Sequence, residues 1–259
     1  MTVWESIVLG FVQGVTEFLP ISSDGHLVIV QTLLGVDTPG IVFEVAVHVA
    51  TLVSILVGFR TRVWDLGRGV LQREASALRL LGLLLVASVP AGLVGVFLNK
   101  QLEALFESPS AAGIGLLITG TFLWTSRAAL PRATGTVSGW VPALLIGIAQ
   151  ALAIAPGISR SGTTIVVAMW LGVEAREAAA FSFLMAIPAI AGAAVLELPD
   201  IGAGSVGWAP LIVGSIVAGA TGILAIRLLV ELLARRAFHA FAPYCWAAGS
   251  LFLVYLALR

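Results

Sequence analysis

The chain has 259 residues, of which 59% are hydrophobic and only 11% charged, and its mean hydropathy is +1.05. Soluble domains average about 45–50% apolar and about 25% charged residues, so this composition excludes a water-soluble fold. Fourteen basic residues cancel fourteen acidic ones, which argues against a nucleic-acid partner, and the single Cys245 excludes an internal disulfide.

The opening run Met1-Thr2-Val3-Trp4-Glu5 has no Lys or Arg, unlike the charged start of a signal peptide. An apolar stretch at about 3–36 follows, interrupted by Glu17, Pro20, Asp24, Gly25 and His26. Three uninterrupted stretches come next, at about 41–59, 79–98 and 110–127. A second interrupted stretch, about 140–173, is broken by Pro156, Gly157, Arg160 and Gly162, and three more uninterrupted ones lie at about 178–198, 208–233 and 241–258. A helix needs about 20 apolar residues to cross the bilayer, so the six uninterrupted stretches are predicted crossings. Each half of the interrupted stretches is too short to cross, as in re-entrant segments. The Arg60–Arg79 region reads as a loop against anionic headgroups. Trp4, Trp140 and Trp208 fall at expected interfaces.

The two interrupted stretches are copies of each other. A shift of 137 places Gly10–Val36 on Gly147–Val173 without a gap, with nine of 27 positions identical, including Gly10/Gly147, Gln13/Gln150, Ser22/Ser159 and Gly25/Gly162. Each copy reads as one re-entrant hairpin followed by three crossings. Three is odd, so the second copy enters the membrane inverted. The expected fold is an all-α integral membrane protein with six transmembrane helices plus two re-entrant helical hairpins in an inverted-topology repeat. One membrane domain covers 1–259, with repeats at about 1–130 and 138–259. Under this topology one face collects Arg60, Arg62, Arg68, Arg73, Arg79, Arg127, Arg132, Arg176, Arg235 and Arg236, whereas the other carries Lys100 and Arg259. The positive-inside rule places the Arg-rich face in the cytoplasm and both termini outside a plasma membrane.

The polar chemistry sits in the interruptions. Gln13 and Glu17 are four apart and share a helix face. A carboxylate at membrane depth costs about 2.5–3.5 kcal/mol unless it faces a cavity, a metal or a partner. Pro20 stops the first half-helix, and Ser22, Ser23 or Asp24 can cap the second. Ser23 and His26 are three apart, so a hydroxyl and an imidazole can share a face as nucleophile and acid/base partner. In the second copy Arg160 brings a fixed cation, and Ser159, Ser161, Thr163 and Thr164 add hydroxyls at a helix N-terminus, a setting suited to phosphate. The plainer readings are serine caps and an Arg160–Glu17 pair serving structure alone. Together the pieces form a parts list for phosphoryl transfer.

Gln13-x-x-x-Glu17, the run Glu17-Phe-Leu-Pro-Ile-Ser-Ser-Asp-Gly-His26 and Pro156-Gly-Ile-Ser-Arg-Ser-Gly-Thr-Thr164 resemble the undecaprenyl-diphosphate phosphatases, also called bacitracin resistance proteins. The likeness extends to Phe43-Glu44 with His48 and to Glu177 through Pro188. It implies a membrane phosphatase that recycles a polyprenyl lipid carrier for wall or glycan synthesis. Glu17, Ser23, His26 and Arg160 would form its catalytic core. Ser22, Ser159, Arg160, Ser161, Thr163 and Thr164 would hold the phosphate, and Glu17 with Gln13 a divalent metal, Mg2+ or Ca2+. Asp24, Glu44 and His48 would lie beside them. An outward-opening site and a homodimer are implied as well. Gln13 stands where many members have Glu, and Asp24 where small neutral residues are common. The expected reaction has Ser23 attacking phosphorus with His26 as base; attack by His26 itself stays open. The alternative function is a secondary transporter or lipid flippase, which uses the same broken-helix architecture.

Overall fold

The computed structural model describes residues 1–36, 41–130, 132–197 and 206–259. These form helices α1 (Val3–Phe18), α2 (Ser23–Leu34), α3 (Ile41–Gly58), α4 (Arg60–Leu71), α5 (Ala75–Phe97) and α6 (Asn99–Phe106). They continue as α7 (Pro109–Ala129), α8 (Trp140–Leu152), α9 (Arg160–Trp170), α10 (Ala175–Glu197) and α11 (Trp208–Ala234), then a 3-10 turn (Phe238–Phe241) and α12 (Ala242–Leu258). The protein is an all-helical membrane protein.

Both interruptions are real breaks with local causes. A capping box between Thr2 and Glu5 starts α1. It stops before Leu19, whose backbone is extended (φ −66, ψ 147), as the residue before a proline prefers. Ser22, at φ 67, accepts from Gly25 N at 3.3 Å and opens α2. In the second copy Ser159 accepts from Gly162 N at 3.0 Å and opens α9. The repeat-related serines therefore do the same capping work.

The six stretches read as crossings overlap the helices α3, α5, α7, α10, α11 and α12. Among the described residues, four stretches are long and apolar enough to cross on their own: Ala75–Phe97, Ala175–Val195, Trp208–Ala234 and Phe238–Leu258. A fifth arises if α3 and α4, bent by 80° where they join, count as one. At 21 residues, α7 has the length to span about 30 Å. The Arg60–Arg79 region departs from the expected loop. Its first part is the helix α4, because Val63 and Leu66 pack against the core while Arg60, Arg62, Trp64 and Arg68 stay exposed.

Each broken helix packs on a long helix of the opposite half of the chain: α1 on α11, and α8 on α5. Small residues permit the approach. A Cβ on Gly10 would lie 2.3 Å from Gly214 O, and one on the repeat-related Gly147 would lie 2.3 Å from Ala87 O. The paired helices α7 and α12, and α3 and α10, close the bundle around the two breaks.

Candidate active site

The two breaks meet inside the protein. A Cβ on Gly25 would fall 2.8 Å from Gly157 Cα, and one on Gly162 would fall 3.3 Å from Pro20 Cβ. Gly25 and Gly162 are repeat partners, and so are Pro20 and Gly157, so the contact is reciprocal. Gly157 adopts φ 84, and a Cβ there would also strike Ala112 O at 2.1 Å; glycine alone fits this turn. Thr119 braces it, donating to Gly157 O at 2.7 Å and accepting from Ser159 N at 2.9 Å.

Glu17 is the hub. Its Oε1 receives Arg160 Nη2 at 2.5 Å. Its Oε2 receives Ser23 Oγ at 2.6 Å and Gln13 Nε2 at 3.1 Å, with His48 Nε2 3.9 Å away. His48 Nε2 also stands 3.6 Å from Asp24 Oδ1, and its Nδ1 lies 2.7 Å from Glu44 O. Glu17 is buried, with 6% side-chain exposure, and Arg160 has 16%. A buried ion pair persists when its remaining valences are satisfied, and the Ser23 and Gln13 donors satisfy Glu17.

The expected Ser23–His26 contact is not the one the chain makes. Ser23 donates to Glu17, whereas His26 Nε2 pairs with Tyr244 OH at 2.7 Å and His26 Nδ1 with Ser22 O at 2.8 Å. The His26 and Tyr244 rings also stack, with centroids 5.7 Å apart. The partner of the Ser23 hydroxyl is thus a carboxylate brought by α1, because the tight turn at Ser22 folds Ser23 back toward Glu17. Tyr244 has no sequence signal: it lies 218 positions from His26 in a mostly apolar helix.

The hydroxyls grouped around Arg160 divide into two kinds. Ser22 and Ser159 are caps, and Ser161 donates to Leu19 O at 3.3 Å. Thr164 Oγ1 donates to Arg160 O at 2.7 Å and lies 2.7 Å from Ser182 Oγ. Among the described residues, the buried side-chain atoms lacking a hydrogen-bond partner include Arg160 Nη1, Thr163 Oγ1 and Gln13 Oε1. Such atoms are costly unless a ligand takes them. Two of them suit a phosphate, and the third, an amide oxygen, suits a hard cation. Among the described residues, no group of three or more His, Cys, Asp or Glu side chains could hold a metal by itself. Glu17 and Gln13 fit a cation that takes its other ligands from water and phosphate oxygens, which is how Mg2+ is commonly held.

The family model for bacitracin resistance protein BacA matches residues 6–251. The chain belongs to the BacA family. Among similar proteins is an undecaprenyl-diphosphatase of Desulfosudis oleivorans, 41% identical over 268 residues, covering 96% of this chain and 97% of the relative. Undecaprenyl-diphosphatases of Desulfatibacillum aliphaticivorans and Pelotomaculum thermopropionicum are 38% and 39% identical. They cover 96% and 100% of this chain, and 97% and 98% of their own lengths. The BacA match takes in both breaks and every residue of the site just described.

Proposed function

We propose that this BacA-family chain is a membrane phosphatase that hydrolyses undecaprenyl diphosphate to the monophosphate and inorganic phosphate, returning the lipid carrier to cell-wall synthesis. One observation carries the site assignment: Ser23 Oγ sits 2.6 Å from Glu17 Oε2 while Glu17 Oε1 is held by Arg160. A hydroxyl, its base and an anion-binding cation thus converge at the junction of the two breaks.

In the reaction we infer, Arg160 binds the terminal phosphate through its unpartnered Nη1, beside Thr163 Oγ1. Ser23 Oγ bonds to the terminal phosphorus as its proton passes to Glu17, and the bridging P–O bond breaks to release polyprenyl monophosphate. Water then attacks the phosphoserine, the P–Oγ bond breaks with Glu17 returning its proton to Ser23 Oγ, and inorganic phosphate leaves. His26, fixed by Ser22 O and Tyr244, delivers a proton to the departing phosphate oxygen and recovers it from that water. Ser23 is favoured over His26 as nucleophile because Ser23 Oγ is the group in contact with a carboxylate able to take its proton, Glu17 Oε2, whereas His26 reaches the departing oxygen by exchanging its Tyr244 contact. A divalent cation held by Glu17 and Gln13 would neutralise diphosphate charge.

The architecture that goes with this reading is six crossings and two re-entrant hairpins in inverted repeats of about 1–130 and 138–259. The exchange of α1 and α8 between halves and the reciprocal Gly25/Gly157 and Gly162/Pro20 contacts support it. The Arg-rich ends, α4 among them, face the cytoplasm, and the termini and the site opening face outward. The isoprenoid tail lies against apolar helix faces, and homodimers are compatible with the exposed apolar surface.

The test is phosphate release from undecaprenyl diphosphate by the purified protein in detergent, where no compartments exist for a transporter or flippase to work between. Release by the wild type and its loss in Arg160→Ala are expected. An active Arg160→Ala protein overturns the site, and an inactive wild type overturns the function.

A further inference from the structure

We propose that Thr119 is a positioning residue of the site: by tying both sides of the second break to α7 it fixes the start of α9 and so the aim of Arg160. The inference rests on the phosphatase reading above. Thr119 comes from α7, outside both interrupted stretches, and is 1% exposed. Its Oγ1 donates to Gly157 O at 2.7 Å and accepts from Ser159 N at 2.9 Å. One hydroxyl thus satisfies two backbone groups of a buried turn between two helices. The seat for that turn is cut into the same face of α7. Ala112, Gly115 and Thr119 follow one another at helical spacing, and a Cβ on Gly115 would fall 2.3 Å from Pro156 O.

The tie reaches the chemistry over a short stretch of chain. Ser159 caps α9 through Gly162 N at 3.0 Å, and Arg160 is the first residue of that helix. Its Nη2 holds Glu17 Oε1 at 2.5 Å while Nη1 has no hydrogen-bond partner among the described residues. A planar fork divided between a carboxylate and a phosphate depends on its direction, and a displacement of about 1 Å can cost about 10²-fold in rate. The first break is tied less firmly. Pro20 is the repeat partner of Gly157, and its carbonyl faces Cys245 Sγ of α12 at 3.9 Å. With repeats of about 1–130 and 138–259, the last helix of each copy meets the other copy's break at the same carbonyl, but a thiol is a weak donor. The half of the site that carries the cation is the one held fast.

The experiment compares wild type, Thr119→Ser, Thr119→Val and Cys245→Ala, and repeats Thr119→Val in an Arg160→Lys chain. It reads kcat for phosphate release from undecaprenyl diphosphate in detergent, and the Kd of that lipid in a Ser23→Ala background. Thr119→Val keeps the side chain's shape and loses both hydrogen bonds. It is expected to lower kcat about 10–100-fold and to raise Kd by less, about threefold to fivefold. Thr119→Ser keeps the hydroxyl and Cys245→Ala loses only the weak contact, so both are expected within about threefold of wild type. In the Arg160→Lys chain, whose fork is already gone, Thr119→Val is expected to cost less than about threefold. Thr119→Cys, which puts the first break's weak donor on the second, stands in if Thr119→Val does not fold, with a kcat loss of about fivefold or more expected. A normal kcat in Thr119→Val, an equal loss in Thr119→Ser or Cys245→Ala, or an undiminished loss in the Arg160→Lys chain overturns the positioning role, while phosphate release by the wild type keeps the phosphatase reading intact. A wild type that releases no phosphate, but whose Kd rises in Thr119→Val and not in Thr119→Ser, supports the positioning role and overturns the phosphatase reading.

Discussion

Arg160 Nη2 lies 2.5 Å from Glu17 Oε1 across 143 positions of sequence, tying the first broken helix to the second. The pair has two separable roles. In the proposed reaction Arg160 is the anion clamp that stabilises charge during transfer, and its replacement by Ala is expected to lower kcat about 10²–10³-fold. As the partner of a buried carboxylate, its loss is expected to destabilise the fold by about 3–5 kcal/mol. Arg160→Lys keeps the charge but loses the planar fork, so it is expected to retain most stability and little activity. Phosphate-release kinetics and thermal unfolding in detergent measure the two effects. Equal activity in Lys and Arg proteins would show that charge alone suffices.

In the proposed reaction the Ser23–Glu17 and His26–Tyr244 contacts give different tasks to Ser23 and His26 of α2. Ser23→Ala is expected to abolish turnover and any acid-stable phosphoserine trapped from labelled substrate. Tyr244→Phe removes only a hydrogen bond to His26 Nε2 and is expected to slow turnover about fivefold to tenfold, the worth of one buried hydrogen bond. His26→Ala removes the whole proton carrier and is expected to be far slower than Tyr244→Phe. Near-normal turnover by Ser23→Ala would transfer the nucleophile's role to His26.

Much of this was legible in the sequence where local physics dictates structure. Pro20 and Pro156-Gly157 announced the breaks, and Ser22 and Ser159 proved to be the caps their spacing suggests. The 137-residue repeat pointed to Gly25 and Gly162, which meet the opposite break. Long-range partners were not legible. Nothing in the spacing pairs Ser23 with Glu17 in preference to His26, because the choice depends on Ser22 adopting φ 67. Tyr244 and Thr119 reach the site only through helix packing, and nothing in their spacing sets them apart from the other hydroxyl residues of α12 and α7. The helix α4 was hidden because arginines and glycines interrupt its apolar residues, of which Val63 and Leu66 pack on the core.

Gly25 tests whether the two breaks must touch. A Cβ there would come 2.8 Å from the Gly157 backbone, too close for any rotamer to relieve. Gly25→Ala is expected to cost about 1–3 kcal/mol through overpacking and to separate Ser23 from Arg160, so activity falls by more than stability does. Gly35→Ala offers a contrast: its cost is backbone strain at φ 62 with nothing nearby to strike, so stability falls while turnover is retained. Similar kinetics for the two variants would argue that the junction is not part of the site.

Gln13 tests the divalent-cation proposal. Its Oε1 is buried without a hydrogen-bond partner beside Glu17, and a neutral amide oxygen is a weaker ligand for a hard cation than a carboxylate. Chelation is expected to suppress phosphate release and Mg2+ to restore it. Gln13→Glu is expected to lower the Mg2+ concentration needed for half-maximal activity, and Gln13→Leu to raise it. Activity indifferent to chelator and to both variants would remove the cation from the mechanism.

Orientation in the membrane can be read from cysteine labelling, because the natural Cys245 is buried and can be replaced by Ala to give a silent background. Single cysteines in place of Lys100 and Arg259, both exposed, are expected to react in intact cells with a maleimide that cannot cross membranes. Cysteines in place of Arg68 and Arg132, also exposed, are expected to react only after permeabilisation. The positive-inside rule, applied to the distribution of arginines, gives this expectation. The reverse pattern would turn the protein over, placing the site's mouth toward the cytoplasm and requiring its lipid substrate to be drawn from the inner leaflet.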